Sequence, residues 1–214
     1  MIRVARSFHA ATAAVATCAL LLQLGLVIDG ASVLAEGAQP GLWLRVGRYF
    51  CYFTIQSNIL VAVATAWLVV DPKAGSTVFR ALWLAGVIGI AITGVVHFLL
   101  LRPLLDLHGW NQVADTLLHI LVPIMAVVGW AAFGPRGRVD RRTVGFAFCW
   151  PALWLAWTLV LGAGTRWFPY PFLNWRHAGG GAVVVTCLGI FAFTAALFAA
   201  ASWLDARLPG SGEV

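Results

Sequence analysis

Long apolar stretches alternate with short polar segments along almost the whole chain. A membrane-spanning helix needs about 20 largely apolar residues, and six stretches meet this requirement. The pattern predicts spans at 7–28, 44–70, 78–101, 112–133, 143–164 and 178–204. The segments between them contain Asp-Gly, Pro-Gly and Asp-Pro pairs or single prolines, which are typical of turns. The sequence therefore predicts an all-α, polytopic membrane protein, with residues 1–214 forming a single six-helix domain.

The composition supports the same fold class. Hydrophobic residues make up 61% of the chain and charged residues only 10%, whereas charged residues make up about 25% of a soluble domain. An ordinary soluble domain and a disordered chain are therefore both excluded. The four cysteines lie singly within predicted spans, which is not the spacing of a disulfide framework or of a metal site.

The distribution of basic residues predicts how the spans are oriented. With the N-terminus inside, nine Lys or Arg residues fall on the cytoplasmic side and five on the other. Basic residues concentrate in cytoplasmic loops, so we expect both termini inside. The net charge of +6 then needs no nucleic-acid partner. The first apolar run exceeds the roughly 7–15 residues of a signal sequence, so we expect a retained helix rather than cleavage after Val33-Leu34-Ala35.

Polar residues interrupt the second predicted span near its outer end. Thr54, Gln56, Ser57 and Asn58 stand between apolar segments. Polar side chains are costly inside a membrane, and by default they mark a functional site or a buried pairing. The spacings of three and four place Thr54, Ser57 and Asn58 on one helix face, while Gln56 faces elsewhere.

The third and fourth predicted spans also carry polar residues. Asn111, Asp115 and His119 follow one another at intervals of four, which places them on one face of a helix. An aspartate one turn from a histidine can hold its ring and stabilise its protonated form. A buried carboxylate is costly unless it is paired, so this pair indicates function. The third span contributes His97, five residues before Arg102.

These polar residues lie at similar depths in the membrane. At a rise of about 1.5 Å per residue, Thr54 lies about 9 Å past Arg48, His119 about 12 Å past Asn111, and His97 about 7 Å short of Arg102. All three are therefore expected in the outer third of the bilayer. Such agreement in depth is what a shared site requires.

Short patches around these residues resemble a known family. The patches are Phe53-Thr54 in the second span, Leu118-His119 followed by Pro123 in the fourth, and Tyr170-Pro171-Phe172-Leu173 after the fifth. With the six-span plan, they resemble the androgen-induced and androgen-dependent TFPI-regulating membrane proteins and their bacterial relatives. Outside these patches the similarity is one of hydropathy alone. The resemblance implies a multi-pass protein of the bacterial cytoplasmic membrane.

The resemblance also implies an activity. Members of this family are intramembrane hydrolases that use a threonine and a histidine to cleave fatty acid esters of hydroxy fatty acids. It implies that Thr54 is the nucleophile, that His119 is its base, and that the substrate is a lipid ester surrounded by membrane lipids. We expect no cofactor and no metal. The sequence leaves the oligomeric state open.

On this hypothesis the other polar residues support the reaction. Asp115 would fix the His119 ring, the role of the third member of a hydrolytic triad, and nearby donors would bind the oxyanion. The residues assigned to orientation or to the oxyanion are Asp115, Asn58, Ser57 and Asn111. The residues assigned to substrate binding are His97 and Gln56.

Two alternatives from other functional classes remain open. His97 and His119 lie at similar depth on consecutive spans, and axial histidine ligation is common in haem proteins, so the first alternative is a haem-binding electron carrier. The second is a small transporter or a structural membrane protein whose polar faces serve packing or a proton path. The sequence shows none of the half-helix repeats that favour a transporter.

Overall fold

The computed structural model describes residues 2–31 and 40–208. The candidate cleavage site at Val33-Leu34-Ala35 lies outside the described residues. The helices are α1 (Ile2–Ile28), α2 (Leu42–Cys51), α3 (Phe53–Val70), α4 (Thr77–Val96), α5 (Gly109–Thr116), α6 (Val122–Phe133), α7 (Arg141–Thr165), α8 (Trp175–Ala178) and α9 (Gly180–Asp205). Two π-helical turns, His97–Leu101 and Leu117–Leu121, and two 3-10 turns, Arg102–Leu104 and Pro171–Leu173, complete the described helical structure.

Six helical segments in the described part of the chain are long and apolar enough to cross a membrane. They are Arg3–Ile28, Phe53–Val70, Thr77–Leu104, Gly109–Phe133, Arg141–Thr165 and Gly180–Asp205. The prediction of an all-α chain with six spans is confirmed. Five of the predicted spans agree with these segments to within a few residues at each end, and the second predicted span differs more.

Helices α3 and α4 form the centre of the bundle. Half or more of their apolar windows are buried, 50% and 61%, against 11–17% for α1, α7 and α9. Helix α1 packs on α3, helices α7 and α9 pack on α4, and α6 contacts both α1 and α4. The outer helices direct apolar side chains away from the bundle, as a lipid surrounding requires. Polar residues on the inner faces of α3 and α4 are therefore enclosed by protein.

Two glycines allow α4 to approach its neighbours closely. A Cβ atom on Gly94 would lie 3.3 Å from the backbone oxygen of His119, and one on Gly89 would lie 2.6 Å from the Trp150 ring. Small residues permit such close approach between membrane helices. Helix α4 is thereby held against both the turn that carries His119 and the face of α7 that carries Trp150.

The second predicted span is two helices rather than one. Tyr52 has an extended backbone conformation, φ −71° and ψ 131°, between α2 and α3. The break frees carbonyl groups at the end of α2, and unpaired backbone groups are costly in a membrane. The Phe50 carbonyl accepts a hydrogen bond from Gln56 Nε2 and the Cys51 carbonyl accepts one from Trp154 Nε1, both at 2.9 Å. These two side chains stabilise the break.

The two π-helical turns share a sequence feature. Each turn, His97–Leu101 and Leu117–Leu121, is closed by a backbone hydrogen bond from the residue that follows it to its first residue. A proline, Pro103 or Pro123, stands six residues after the first residue of each turn. Proline has no N–H group and its ring crowds the carbonyl four residues earlier, so a locally wider helix relieves the conflict. Turns of this kind occur often at functional sites.

Candidate functional site

The Thr54 hydroxyl lies in the first turn of α3, directly after the break, and has two polar partners. Its Oγ1 atom is 3.3 Å from His119 Nε2 and 3.2 Å from the Tyr170 hydroxyl oxygen. The residue is buried, with 6% of its surface exposed. The structure therefore brings together Thr54 and His119, which the sequence places at similar depth, and adds Tyr170 to them.

The protonation of the His119 ring follows from the surroundings of its other nitrogen. Nδ1 lies 3.1 Å from the backbone oxygen of Asp115 and 3.0 Å from the Oδ1 atom of the same residue. Because both neighbours of Nδ1 are acceptors, the neutral ring carries its hydrogen on Nδ1. Nε2 then directs a free lone pair at the Thr54 hydroxyl, which is the arrangement that a general base requires.

Asp115 is a buried carboxylate surrounded by groups that can carry positive charge. Its Oδ1 atom also lies 3.2 Å from His97 Nε2, and its Oδ2 atom lies 3.7 Å from Arg102 Nη1. The side chain is only 7% exposed. A buried carboxylate without such partners is strongly destabilising. The two imidazoles and the guanidinium therefore favour the charged form of Asp115, and that charge stabilises the cation that His119 forms when it accepts a proton.

His97 packs flat against His119. The two ring centroids are 3.8 Å apart and the planes are inclined by 14°. The approach of His97 Nε2 to Asp115 has the length of an ion pair but not the angle of a hydrogen bond, and neither His97 nitrogen has a hydrogen-bond partner among the described residues. The position of His97 restricts rotation of the His119 ring. His97 was assigned to substrate binding, and it lines both cavities described below.

Among the described residues, one cluster has the composition of a metal site. His97, Asp115 and His119 offer ligand atoms that all lie within 4.8 Å of one another. A zinc ion lies about 2.0–2.1 Å from a histidine nitrogen and close to the plane of the ring. Because the two rings are stacked nearly parallel, no point at that distance from both nitrogens lies in both planes. As arranged, these three side chains do not have the geometry of a metal site.

The stacked rings also bear on the haem hypothesis. Axial ligation by both His97 and His119 requires the porphyrin to lie between the two rings. The rings are in direct contact, with centroids 3.8 Å apart, and leave no space for a macrocycle. The structure therefore does not fit a haem bound between these two histidines.

Asn58 and Ser57, assigned to the oxyanion, have their hydrogens occupied elsewhere. Asn58 Nδ2 donates to the backbone oxygens of Thr54 and Leu118, at 2.8 and 3.3 Å. Ser57 Oγ donates to the Phe53 backbone oxygen at 2.8 Å. Neither side chain, as placed, offers a donor to a substrate. Asn58 instead joins α3 to the turn that carries His119, so it positions the two reactive residues relative to each other.

Gln56 has surroundings that differ from its assignment to substrate binding, and Asn111 lies in one of the cavities described below. Gln56 bonds the Phe50 carbonyl and accepts a hydrogen bond from Trp150 Nε1 at 3.0 Å. Both ends of its amide are therefore occupied within the protein, where it stabilises the helix break rather than reaching a substrate. Asn111 lines the more polar cavity, and its Oδ1 atom has no hydrogen-bond partner in the described part of the chain.

Tyr170 belongs to this site, although no role was predicted for it from the sequence. It lies in the segment between α7 and α8, and its oxygen accepts a hydrogen bond from the Thr54 backbone N–H at 3.2 Å. Its ring stacks on Phe172 with 5.2 Å between centroids and meets the Tyr52 ring edge-on at 5.6 Å. The only signal in the sequence is that Tyr170 belongs to one of the patches that carry the family resemblance.

The chemistry of the residues around Thr54 indicates what this site can do. Comparisons of the chain with protein-family models, curated proteins and solved structures found no match. The site combines a buried hydroxyl, a histidine whose lone pair faces it, and a carboxylate behind that histidine. This combination can activate the hydroxyl as a nucleophile.

Two cavities meet at Thr54. The first has a volume of about 370 Å³ and is lined almost entirely by apolar side chains of α4, α7 and α9. The second has a volume of about 160 Å³, is more polar, and lies among α1, α2 and α5. Thr54, His97 and Tyr170 line both cavities. Thr54 therefore borders both an apolar space and a more polar one.

The more polar cavity has an excess of positive charge. Arg45 and Arg48 line it, and Asp115 is the single carboxylate among the described residues that line it. Arg45 donates to the backbone oxygens of Val27 and Ile28, so its hydrogens are largely occupied. Arg48 lies over the Trp167 ring at 4.8 Å, and its side chain has no hydrogen-bond partner among the described residues. The cavity therefore favours an anionic group.

Proposed function

We propose that this protein is an intramembrane lipid ester hydrolase in which Thr54 is the nucleophile and His119 the general base. The proposal is carried by one observation: Thr54 Oγ1 lies 3.3 Å from Nε2 of a histidine whose Nδ1 faces Asp115. A threonine hydroxyl is a weak nucleophile and needs an adjacent base. The carboxylate orients that base and stabilises its cation, as in hydrolytic triads.

The reaction proceeds in two halves. Thr54 Oγ1 forms a bond with the ester carbonyl carbon while its proton moves to His119 Nε2. The bond from that carbon to the alcohol oxygen then breaks, and His119 returns the proton to the departing alcohol. Water attacks the resulting acyl-threonine, giving a proton to His119. Collapse releases the fatty acid, and the proton returns to Thr54.

The family resemblance supports the same proposal. Phe53-Thr54, Leu118-His119 and Tyr170 are far apart in the sequence, yet the reactive atoms of the second and third patches lie 3.3 and 3.2 Å from Thr54 Oγ1. We accordingly propose that the chain belongs with the androgen-induced and androgen-dependent TFPI-regulating proteins. We also propose that it resides in the bacterial cytoplasmic membrane with both termini in the cytoplasm, as its basic residues indicate.

The two cavities suggest the class of substrate. The apolar cavity of about 370 Å³ falls within the roughly 300–1,000 Å³ of ligand pockets and suits an acyl chain. The cavity beside Arg48 suits an alcohol part that carries a carboxylate. A fatty acid ester of a hydroxy fatty acid has both parts, with the ester bond between them.

Hydrolysis by the pure protein tests this proposal, with a substrate pair that differs in one charge. We expect the protein in lipid nanodiscs to cleave a fatty acid ester of a hydroxy fatty acid, and to cleave its neutral methyl ester with kcat/KM about tenfold lower, as loss of a hydrogen bond to a charged group predicts. In Arg48→Gln the two substrates should react at nearly equal rates. Absence of any ester cleavage contradicts the proposal, whereas equal rates with the unaltered protein contradict only the charge preference.

Replacement of Asp115 by asparagine tests the orienting carboxylate. The Asp115 backbone carbonyl still accepts a hydrogen bond from His119 Nδ1, so the ring keeps its tautomer but loses the charge that stabilises its cation. We therefore expect kcat to fall on the order of 10³-fold, less than the roughly 10⁴-fold seen where the tautomer is lost as well. Asp106→Asn is the matched control, because that side chain is 94% exposed. Equal kcat values for Asp115→Asn and Asp106→Asn in steady-state assays would refute the role of Asp115.

A further inference from the structure

Ester cleavage needs a hydrogen-bond donor that the roles above do not supply. When Thr54 attacks, negative charge develops on the carbonyl oxygen, and preorganised donors aimed at that oxygen are usually a large part of catalysis. Asn58 and Ser57 already donate to backbone carbonyls. The polar group that remains beside Thr54 Oγ1, apart from His119, is the Tyr170 hydroxyl at 3.2 Å.

The direction of each hydrogen bond around Thr54 can be assigned. The Thr54 backbone N–H donates to the Tyr170 oxygen, and the Thr54 hydroxyl donates to the unprotonated Nε2 of His119. Either oxygen of the Thr54–Tyr170 pair can be the donor by geometry, but the hydrogen of Thr54 is already used. The Tyr170 O–H therefore donates to Thr54 Oγ1 in the resting protein.

We propose that the Tyr170 hydroxyl is a catalytic residue that donates its hydrogen bond to the oxyanion, while the Thr54 backbone N–H donates to the Tyr170 oxygen and makes its O–H a stronger donor. Once Oγ1 is bonded to the carbonyl carbon, the oxyanion oxygen and Oγ1 are both attached to that carbon. The negative charge therefore develops next to Oγ1. The phenolic O–H favours the plane of the ring but turns about its C–O bond, so the Tyr170 hydrogen can be redirected from Thr54 Oγ1 to the neighbouring oxyanion without movement of the ring. This inference rests on the proposed hydrolase function.

The surroundings of Tyr170 suit this role. The residue is 6% exposed, and burial raises the pKa of its phenol, so it stays protonated and able to donate. The Thr54 N–H lies in the first turn of α3, where backbone N–H groups lack helical acceptors and carry partial positive charge. The phenol ring is held between Phe172 and Tyr52. The donor is therefore in place before the substrate binds.

Substitution of Tyr170 by phenylalanine keeps the ring and removes only the donor. We expect kcat for a lipid ester to fall on the order of 10²-fold with KM nearly unchanged, because the donor acts on charge formed in the transition state. A long-chain trifluoromethyl ketone, which forms a tetrahedral adduct with Thr54, should lose affinity by a similar factor. The corresponding non-reactive ether should bind Tyr170→Phe as well as it binds the unaltered protein.

Thr65→Val is the control for loss of a buried hydroxyl outside both cavities, since that hydroxyl bonds the Val61 carbonyl at 2.7 Å. A kcat for Tyr170→Phe within threefold of this control, or an equal loss of affinity for ketone and ether, would overturn the assignment of Tyr170. In that case turnover by the unaltered protein leaves the hydrolase proposal standing. If the unaltered protein neither cleaves esters nor binds the ketone, both proposals are overturned.

A second set of variants covers the case in which Tyr170→Phe does not fold. Fluorotyrosine and difluorotyrosine placed at position 170 keep the hydroxyl and the packing while making the O–H a stronger donor. If Tyr170 binds the oxyanion, kcat changes progressively with the number of fluorine atoms. A kcat that is independent of fluorination would contradict the inference.

Discussion

We expect Thr54→Val to abolish ester hydrolysis and Thr54→Ser to retain it. Valine has nearly the shape of threonine but no hydroxyl, so the variant loses the nucleophile while the break after Tyr52 and the packing of α3 are kept. We expect kcat to fall by about 10⁴-fold or more, as for loss of the nucleophile in other hydrolases. Serine keeps the hydroxyl beside His119 and should stay within about tenfold of the unaltered protein. Steady-state assays with one lipid ester measure all three.

The valine and serine variants control for each other. Both alter the same buried position, so a general disturbance of the bundle affects both, and thermal unfolding in detergent reports it. Thr65→Val removes another threonine hydroxyl of α3, one that bonds the Val61 carbonyl at 2.7 Å, and lies outside both cavities. If Thr54→Val hydrolyses the ester with the same kcat as Thr65→Val, Thr54 is not the nucleophile.

His119→Ala is expected to lose activity to a similar extent, about 10⁴-fold. Without the ring, nothing accepts the Thr54 proton at 3.3 Å, and nothing returns it to the departing alcohol. Because Thr54 and His119 act as a unit, the double variant with Thr54→Val should be no slower than either single variant. Added imidazole should restore part of the activity of His119→Ala, since the vacated space adjoins the polar cavity.

The matched control for this variant is His108→Ala, whose side chain is 82% exposed. Two results would contradict the base role. One is equal activity of the two histidine variants. The other is a double variant whose loss is the product of the two single losses, since independent residues contribute additively in free energy.

The pattern of hydropathy was sufficient to predict the bundle. Apolar runs of spanning length identify helices because a membrane forces backbone groups to pair within each segment. The depths of Thr54, His119 and His97 also followed from the sequence, since the rise per residue of a helix is nearly constant. The spacing of four between Asp115 and His119 likewise predicted their contact, which the structure has at 3.0 Å.

The distortions of the helices at the site were not predicted. The break at Tyr52 contains neither proline nor glycine, and it depends on Gln56 and Trp154, which bond the freed carbonyls. Trp154 comes from a distant helix, so no local pattern reveals this capping. The two π-helical turns are different, because Pro103 and Pro123 provide a local signal for them.

The roles of the remaining polar residues depend on tertiary contacts. Asn58 was expected to stabilise the oxyanion, but its hydrogens go to two backbone carbonyls, one of them Leu118 on another helix. Tyr170 lies 116 residues from Thr54 in the chain, and the sequence offers no spacing rule over that distance. The segment after α7 packs against the start of α3, and this tertiary contact places the Tyr170 hydroxyl beside Thr54.

Covalent modification of Thr54 is the most direct test of the central claim. The purified protein is incubated with a long-chain fluorophosphonate, digested, and its peptides are mapped by mass spectrometry. The account predicts one phosphonyl group on Thr54, no modification of Thr54→Val, and slow modification of His119→Ala. A protein that hydrolyses lipid esters while Thr54 stays unmodified and another residue carries the label would contradict it.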